Sequence, residues 1–319
     1  MRVLILNPHP RGQRGGNRTT ALRWARILRR LGARVRVEQR WSGQPADLLV
    51  ALNGWRSGES ILRFRAAHPE LPIVVAITGT DLYTGEPDPA ALARAFAAST
   101  RLVVLQELAL EALAPPYRAK AVVIHQSVRP LPDPPAPRDD AFECCVVANL
   151  RPVKDPLLAA RAARRLPARS RIRIVGIGET LDAALGAELA RERAANPRFL
   201  WLGALPRLAT LRRIAAARLL VSTSRAEGGA GVVSEALAHG VPVLATDVPG
   251  ARGMLPAGYP GLFPVGDEGT LARLLARAEE DASFLAALAA LCRSRAWITA
   301  PAREEAAWGA LLAEIGPGG

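Results

Sequence analysis

The chain has 319 residues, a formal net charge of +13, and a composition in which half of the residues are hydrophobic. This length suits two domains, each with its own core, and the composition excludes a disordered chain. The three cysteines exclude a disulfide framework by their odd number. No apolar run approaches the roughly 20 residues of a membrane-spanning helix, so we expect a cytoplasmic protein without stable membrane association.

The positive charge comes almost entirely from arginine. All but two of the 42 Lys and Arg residues are arginines, and alanine is abundant. This pattern indicates a mutational bias in the coding sequence as much as selection for a basic surface. Aromatic residues, on which bases would stack, make up only 5%. We therefore expect no nucleic-acid partner, and we interpret the rare Lys154 as a position where arginine does not suffice.

The first half alternates short β-rich runs with amphipathic helical segments. Two helical segments, 19–31 and 57–67, end at Gly32 and at His68-Pro69. Such alternation predicts a parallel sheet with helices on both faces. The predicted strands are residues 3–7, 35–38, 48–52, 73–77, 102–105 and 122–124.

A proline-rich segment then interrupts the pattern. Residues 129–137 contain five prolines, which neither a helix nor a central strand accommodates. The pattern restarts with strands predicted at 144–148, 172–175, 199–202, 219–222 and 241–245, before a last helix at 302–315. We predict an α/β protein with two doubly wound Rossmann-like domains facing a central cleft. Its parts are an N-terminal domain (1–128), a linker (129–141), a C-terminal domain (142–300) and a C-terminal helix (301–319) that could pack back on the N-terminal domain.

Two cations follow the first strand of the second half. Arg151 and Lys154 stand three residues apart at the start of a predicted helix. Ligands of open α/β sheets bind at the carboxyl ends of the strands, and a helix N-terminus favours anions. The pair therefore predicts a binding site for a diphosphate.

A glycine-rich segment follows a later strand of the same half. It runs from Glu227 through three glycines to a helix that begins near Val232 and carries Glu235. Glycines allow close backbone approach, and the free N–H groups of the helix suit an anion. A carboxylate would repel that anion, so we expect the two glutamates to accept hydrogen bonds from sugar or ribose hydroxyls.

This arrangement of Glu227, Glu235 and residues 236–246 resembles the signature of retaining GT-B glycosyltransferases of the GT4 type. The resemblance implies that Arg151 and Lys154 hold the diphosphate, that Glu235 holds the ribose, and that Glu227 contacts the donor sugar. Glu227, Arg151 and Lys154 are then the catalytic candidates. The donor-binding candidates are Gly176, Gly203, Gly228, Gly229, Ala230, Gly231, Val232 and Glu235.

Three segments of the first half are candidates for binding the acceptor. A basic, glycine-rich loop follows the first strand and suits a small anion. Hydroxyls, a glycine and a carboxylate follow another strand, and two polar residues end the last strand before the linker. The candidates are Arg14, Gly15, Gly16, Asn17, Arg18, Thr78, Gly79, Thr80, Asp81, Gln126 and Ser127.

The sequence indicates metal-independent chemistry without a cofactor. Its four histidines are scattered, and no Cys/His cluster has the spacing of metal ligands. His9 and His125 lie near predicted strand ends, and whether either is catalytic stays open.

The stretches 16–25, 47–59, 76–83 and 103–106 resemble selenosugar synthases of selenoneine biosynthesis. The resemblance implies a UDP-sugar donor, typically UDP-N-acetylglucosamine, selenophosphate as the acceptor, and partner enzymes of the same pathway. The chain departs from that family at Asn53-Gly54-Trp55-Arg56, where a segment like His-Ala-Arg-Arg is expected. Two other functions stay open: transfer of the sugar to a carbohydrate or lipid acceptor, and non-catalytic binding of a nucleotide sugar or nucleic acid.

Overall fold

The computed structural model describes residues 1–9, 15–84 and 88–316. The chain forms two compact units. The first comprises Met1–Ser127, Glu227–Gly229 and Pro301–Gly319, and the second comprises Val128–Ala226 and Ala230–Ala300.

Among the described residues, each unit is built on a parallel sheet. The strands of the first sheet are β1 (Arg2–Leu6), β2 (Arg34–Glu38), β3 (Leu48–Leu52), β4 (Ile73–Ala76), β5 (Arg101–Val104) and β6 (Ala121–Val123). Those of the second sheet are β7 (Phe142–Val147), β8 (Ile172–Ile177), β9 (Phe199–Trp201), β10 (Leu219–Ser222), β11 (Val243–Thr246) and β12 (Leu262–Phe263).

The helices connect these strands. In the first half they are α1 (Gly16–Arg30), α2 (Gly58–Ala67), α3 (Thr80–Tyr83), α4 (Pro89–Ala98), α5 (Leu108–Glu111) and α6 (Pro115–Arg118). In the second half they are α7 (Leu158–Ala163), α8 (Ala183–Ala195), α9 (Arg207–Ala215), α10 (Gly231–Ala238), α11 (Pro249–Arg252), α12 (Glu268–Glu280), α13 (Ala282–Arg295) and α14 (Pro301–Ile315). Two 3-10 helices, Pro152–Lys154 and Ala296–Thr299, complete the described elements.

The strand order places a topological switch point in each sheet. The first sheet runs β2-β1-β3-β4-β5-β6, and the second runs β12-β11-β10-β7-β8-β9. The chain therefore reverses direction across the sheet between β1 and β3 in the first unit, and between β7 and β10 in the second. Ligands of doubly wound sheets bind in the crevice at the carboxyl ends of such strands.

The first sheet is covered on both faces. Along β3, Leu48, Val50 and Leu52 belong to one apolar cluster, whereas Leu49 and Ala51 belong to another. Alternate residues of a strand point to opposite faces, so these two clusters are the two sides of the sheet. In the edge strand β2, the exposed Arg34 and Arg36 instead flank the buried Val35. The doubly wound architecture predicted from the strand–helix alternation is thereby confirmed.

The last helix, α14, belongs to the first unit. Its Trp308 packs edge-on against Trp24 of α1, with ring centroids 4.9 Å apart. The buried carboxylate of Glu304 accepts hydrogen bonds from Arg23 Nε at 2.8 and 3.0 Å and from Trp24 Nε1 at 2.7 Å. It also accepts from the backbone N–H of Ser127 at 3.0 Å. These contacts hold α1, α14 and the end of the first domain's chain together.

No helix in the described part of the chain is long and apolar enough to cross a membrane. Trp24, Ile27 and Leu28 of α1 are buried in the first unit, whereas Leu22 is exposed.

Candidate functional site

The second unit joins two loops at its switch point. These loops follow β7 and β10; the first carries the predicted Arg151/Lys154 pair, and the second carries Thr223 and Arg225. Arg225 donates its backbone N–H to Val153 O at 2.8 Å, and Thr223 Oγ1 donates to Lys154 O at 3.0 Å. The backbone that presents the two cations is therefore fixed to the loop after β10.

Arg151 and Lys154 flank one short turn. Arg151 is extended and precedes the 3-10 helix Pro152–Lys154, and both cationic residues are half-buried. Within residues 1–9, 15–84 and 88–316, the Arg151 guanidinium forms no hydrogen bond or ion pair. A half-buried guanidinium in that state is suited to binding an anionic ligand.

Asp155 stabilises the end of this turn. It adopts a left-handed conformation with φ 37°, and it is 7% exposed. Its carboxylate accepts from Arg161 at 3.0 Å and from Arg225 at 2.7 Å. Both pairings were missed from the sequence, because an aspartate that follows a cation gives no sign of which distant arginines it will meet.

Glu235 lies on α10 in the same unit and is paired with a residue that the sequence analysis did not select. Its Oε1 accepts a hydrogen bond from Arg207 at 2.6 Å, and its side chain is 12% exposed. Arg207 is the first residue of α9, in the stretch that follows the predicted Gly203. The ion pair fixes one carboxylate oxygen of Glu235, and its contact with a ribose hydroxyl stays a prediction.

His239, at the end of α10, has a structural role. Its Nε2 accepts from the backbone N–H of Leu131, so Nδ1 is the nitrogen that donates to Glu235 O at 2.7 Å. The ring thereby ties the proline-rich segment to α10.

The packing or the backbone conformation explains why glycine occupies two of the predicted donor-binding positions. A Cβ on Gly176, inside β8, would lie 2.2 Å from Cε3 of Trp201, so this glycine makes room for the indole. Gly203 has φ +70° and accepts from the backbone N–H of Gly178 at 3.0 Å. Contact of either glycine with a nucleoside stays a prediction.

Glu227, Gly228 and Gly229 belong to the first unit. A Cβ on Gly228 would lie 2.6 Å from Gly79 N, and one on Gly229 would lie 2.3 Å from Leu105 Cβ. The glycines are required there by this close packing. The remaining predicted donor residues, Ala230, Gly231 and Val232, form the start of α10 in the second unit.

In the first unit, the Thr78–Asp81 segment follows β4 as predicted. Asp81 is 2% exposed, and its Oδ2 accepts from the backbone N–H of Thr78 at 2.7 Å. Burial raises the pKa of Asp81 to about 6, although the hydrogen bonds from Thr78 and Trp55 act in the opposite direction. This carboxylate therefore braces the turn, which leaves Thr78 and Thr80, both half-buried, as the side chains that could reach an acceptor.

The predicted acceptor loop is described only in part. Arg14 lies outside the described residues. Gly15 and Gly16 are exposed, Arg18 is half-buried, and Asn17 Nδ2 donates to His9 Nε2 at 3.3 Å. His9 therefore has a hydrogen-bond partner within the predicted acceptor loop.

Gln126 and Ser127 are both buried in the first unit. Gln126 donates to Thr20 Oγ1 at 2.8 Å, and the Ser127 hydroxyl donates to Glu304. These bonds account for both side chains within the protein, so acceptor contact for them finds no support beyond the sequence pattern. His125 Nε2 lies 3.3 Å from Glu107 Oε2 at a partly exposed site.

A cavity of about 530 Å³ lies in the second unit away from these loops. Its lining includes Ala217 and Arg218, which precede β10, and Val241 and Pro242, which precede β11. It therefore lies at the amino ends of the strands, opposite to the edge that carries Arg151 and Lys154. No group of three or more His, Cys, Asp or Glu residues in the described ranges is arranged to hold a metal ion.

A family model described as "Glycosyl transferases group 1" matches residues 130–294. No protein of curated function is significantly similar to the chain in sequence.

Several solved structures share the fold. HepE (Alr3699) of Anabaena, in complex with UDP-glucose, is 18% identical with a TM-score of 0.80, over 98% of this chain and 100% of that one. Sucrose-phosphate synthase (tll1590) from Thermosynechococcus elongatus is 16% identical with a TM-score of 0.81, over 98% of each chain. The lipopolysaccharide outer core galactosyltransferase WaaB is 14% identical with a TM-score of 0.67, over 98% of this chain and 100% of that one. Likeness at this level of identity shows the fold, and it confirms the predicted GT-B class.

Proposed function

Because this chain belongs to the group 1 glycosyltransferases, we propose that it transfers a sugar from a UDP-sugar to selenophosphate and releases UDP. In this proposal the donor is UDP-N-acetylglucosamine. The protein works in the cytoplasm, where partner enzymes of the pathway supply selenophosphate.

The observation that carries the donor half of the proposal is the fixed turn of Arg151 and Lys154 at the switch point of the second sheet. Its backbone is hydrogen-bonded to the loop after β10, and Asp155 closes it with two ion pairs. Cations held in place before the reaction stabilise the charge that grows on a leaving diphosphate without reorganisation. Lys154 and Arg151 are therefore assigned to the diphosphate, and Glu235 to the ribose hydroxyls.

The acceptor half rests on the resemblance of the first unit to selenosugar synthases and on the chemistry of its loops. Arg18 supplies a cation, while Thr78 and Thr80 supply hydroxyls. The Asp81 carboxylate next to them is engaged by backbone N–H groups and does not face a ligand as a free base. A selenium nucleophile needs little help from a base, which fits such a site.

The proposed step makes one bond and breaks one. Selenium attacks the anomeric carbon of the sugar, and the bond from that carbon to the β-phosphate oxygen breaks. Its electron pair leaves with UDP, and the phosphoryl group stays on selenium in this step. Glu227 is assigned to orienting the sugar, a role that the family resemblance implies.

Mass spectrometry of the products tests the proposal. The protein is incubated with UDP-N-acetylglucosamine, with and without selenophosphate, and UDP release is followed over time. We expect selenophosphate-dependent UDP release and a sugar product that carries the isotope pattern of selenium. Release at the same rate without selenophosphate, or no release at all, would contradict the proposed acceptor.

A carbohydrate or lipid acceptor is the second candidate. One observation favours a lipid: Leu22 and Leu31 are each 37% exposed beside the exposed arginines of α1. Against it, the main apolar side chains of that helix are buried. Flotation with anionic vesicles at low salt separates the two candidates, and strong binding would favour the lipid acceptor.

A further inference from the structure

Two polar residues that are not among the predicted site residues, Asn7 and Asn53, lie with Thr78 at the switch point of the first sheet. Asn7 follows β1 and Asn53 follows β3, the two strands between which the strand order reverses. Thr78 follows β4, two residues after its end. The register pairs Leu6 with Ala51 and Leu52 with Ala76, so all three residues lie at one edge of the sheet.

Asn53 connects this edge to the Thr78–Asp81 turn. It is 1% exposed and has a left-handed backbone with φ 63°, which asparagine adopts more readily than most residues. Its Nδ2 donates to Thr80 Oγ1 at 2.8 Å and, more weakly, to Thr78 Oγ1 at 3.3 Å. Its Oδ1 accepts from the backbone N–H of Arg56 at 2.9 Å, which fixes the orientation of the amide.

These bonds set the polarity of the Thr80 hydroxyl. Because its oxygen already accepts from Asn53, its own proton is available for donation. In the described ranges of the chain, no residue accepts a hydrogen bond from Thr80 Oγ1. Thr80 is therefore prepared to donate to an oxygen-rich ligand.

Asn7 gives an independent sign that a ligand binds at this edge. It is 5% exposed, and nothing among residues 1–9, 15–84 and 88–316 donates to its Oδ1. Leaving a buried acceptor unpaired is destabilising, so such an atom in a native structure indicates an additional polar partner.

We propose that Asn53 is the positioning residue of an anion-binding acceptor site, in which it orients the Thr80 hydroxyl as a donor to a phosphoryl oxygen. This assignment rests on the proposed function for its substrate, and it makes residue 53 a determinant of acceptor specificity. The departure at residues 53–56 from the related enzymes then lies within the acceptor site.

Two substitutions at one position separate hydrogen-bond polarity from backbone conformation. Asn53→Asp tolerates φ 63° and keeps the acceptor for Arg56 N–H, but it turns the donor group into an acceptor. The Thr80 hydroxyl would then donate to the introduced carboxylate and present its lone pairs to the anion. Asn53→Gly also tolerates the backbone but only removes the amide.

The kinetic readout is the KM for each substrate together with kcat. We expect Asn53→Asp to raise the KM for selenophosphate at least tenfold, with the KM for the UDP-sugar changed less than twofold. Asn53→Gly should raise the KM for selenophosphate only a few-fold. Gln39→Glu, which adds the same charge at an exposed position of the first unit, should change neither constant.

A double-mutant cycle tests whether Asn53 acts through Thr80. Thr80→Val should raise the KM for selenophosphate, whereas Thr80→Ser, which keeps the hydroxyl, should restore it. Adding Asn53→Asp to Thr80→Val should have little further effect. Additive effects of the two substitutions would overturn the assignment.

A binding measurement keeps this inference separate from the proposed reaction. Isothermal titration with inorganic phosphate and with thiophosphate probes the anion site without turnover. If wild type releases no UDP but binds these anions, and Asn53→Asp weakens binding tenfold, the reaction is wrong and the site stands. If wild type turns over but the variants match it in KM and in anion binding, the site is wrong and the reaction stands. Thermal unfolding of each variant checks that it is folded, and Asn53→Gly serves as the test if Asn53→Asp is not.

Discussion

Lys120 and Lys154, the two lysines of the chain, occupy positions with different chemistry. Lys120 donates from Nζ to Phe96 O and Ser99 O, both at 2.6 Å, at the end of α4. Burial lowers the pKa of Lys120. Its compact ammonium group binds two carbonyl oxygens in a space that is too short for the larger guanidinium group of an arginine. Lys154 instead stands beside Arg151 at the switch point of the second sheet. The rarity of lysine therefore marked one structural position and one candidate site.

Replacing the cations of the donor site tests that site directly. We expect Lys154→Ala and Arg151→Ala each to lower kcat at least about a hundredfold, since removing one preorganised donor from a developing charge has an effect of this size. Glu235→Ala, which removes the proposed contact with the ribose, should abolish turnover. UDP release under saturating donor measures the effect.

Arg169→Ala is the matched control for these variants. Arg169 is a surface cation of the same unit, with a side chain 78% exposed. Its replacement should leave kcat unchanged. Near-wild-type activity of Lys154→Ala would remove the donor-site assignment.

Asp81 makes the stability of the protein depend on pH in an unusual direction. Its pKa is about 6 in the folded protein against an ordinary value of 3.8, so the folded state binds the proton more tightly. The resulting stabilisation is present at low pH and is lost as pH rises through about 6. Between pH 5 and 8 the free energy of unfolding should fall, by roughly 1–2 kcal/mol from this group.

The comparison of wild type with Asp81→Asn isolates this contribution, because asparagine does not titrate. As pH rises from 5 to 8, the free energy of unfolding of wild type, measured by denaturant titration, should fall relative to that of Asp81→Asn. Asp133→Asn, in the exposed proline-rich segment, controls for loss of a carboxylate. A difference that is constant across this range would show that Asp81 does not carry the effect.

At the scale of elements, β8 and β9 fit together through one glycine. The Cβ of Gly176→Ala would lie 2.2 Å from the Trp201 ring, which is 7% exposed and packed in the core. We expect a loss of roughly 1–3 kcal/mol in the free energy of unfolding, the usual cost of overpacking. Gly58→Ala, whose Cβ would first meet Ala95 at 4.0 Å, should not destabilise the protein. Equal unfolding midpoints for the two variants would contradict this packing.

The attachment of α14 depends on two adjacent glutamates of different burial. Glu304 is 2% exposed and binds Arg23, Trp24 and Ser127, whereas Glu305 pairs with Arg30 at the surface. Removing one member of a buried ion pair costs roughly 3–5 kcal/mol, so Glu304→Ala should strongly lower the midpoint of thermal unfolding. Glu305→Ala should change it little, because exposed pairs are screened by solvent. A similar loss for both variants would show that burial does not set the strength of this attachment.

At the scale of the whole molecule, many arginines serve the protein itself. Arg65 donates to Ala98 O, Arg118 to Leu113 O, and Arg198 to Pro167 O, each closing a loop or helix end. Arg161 binds three carboxylates at once. Part of the charge of +13 therefore comes from arginines that stabilise the fold through hydrogen bonds and ion pairs. This is expected for a chain that encodes arginine in preference to lysine.

Most strands and the long helices, with their order along the chain, are predictable from local sequence patterns alone. Buried parallel strands such as β3 and β4 are short apolar runs, and the polar residues that follow them, such as Arg151 and Thr78, are recognisable because ligands bind at strand ends. The short strand β12 was missed, since two residues carry too little pattern. Glu227 and Glu235 are predictable in the same way, because the family motif that contains them is a continuous stretch of the sequence.

The contacts between residues far apart in the chain are seen only in the folded molecule. Glu235 with Arg207, Asp155 with Arg161 and Arg225, and Asn53 with Thr80 join residues from separate elements. Such pairs depend on strand order and side-chain geometry, which leave no periodic signal in the chain. Asp81 and Ser127 are acceptor-binding candidates in the sequence, and in the fold both are buried and hydrogen-bonded to other residues of the protein. Burial is a property of the packed molecule, and a polar residue at a strand end looks the same in sequence whether it faces a ligand or a backbone amide.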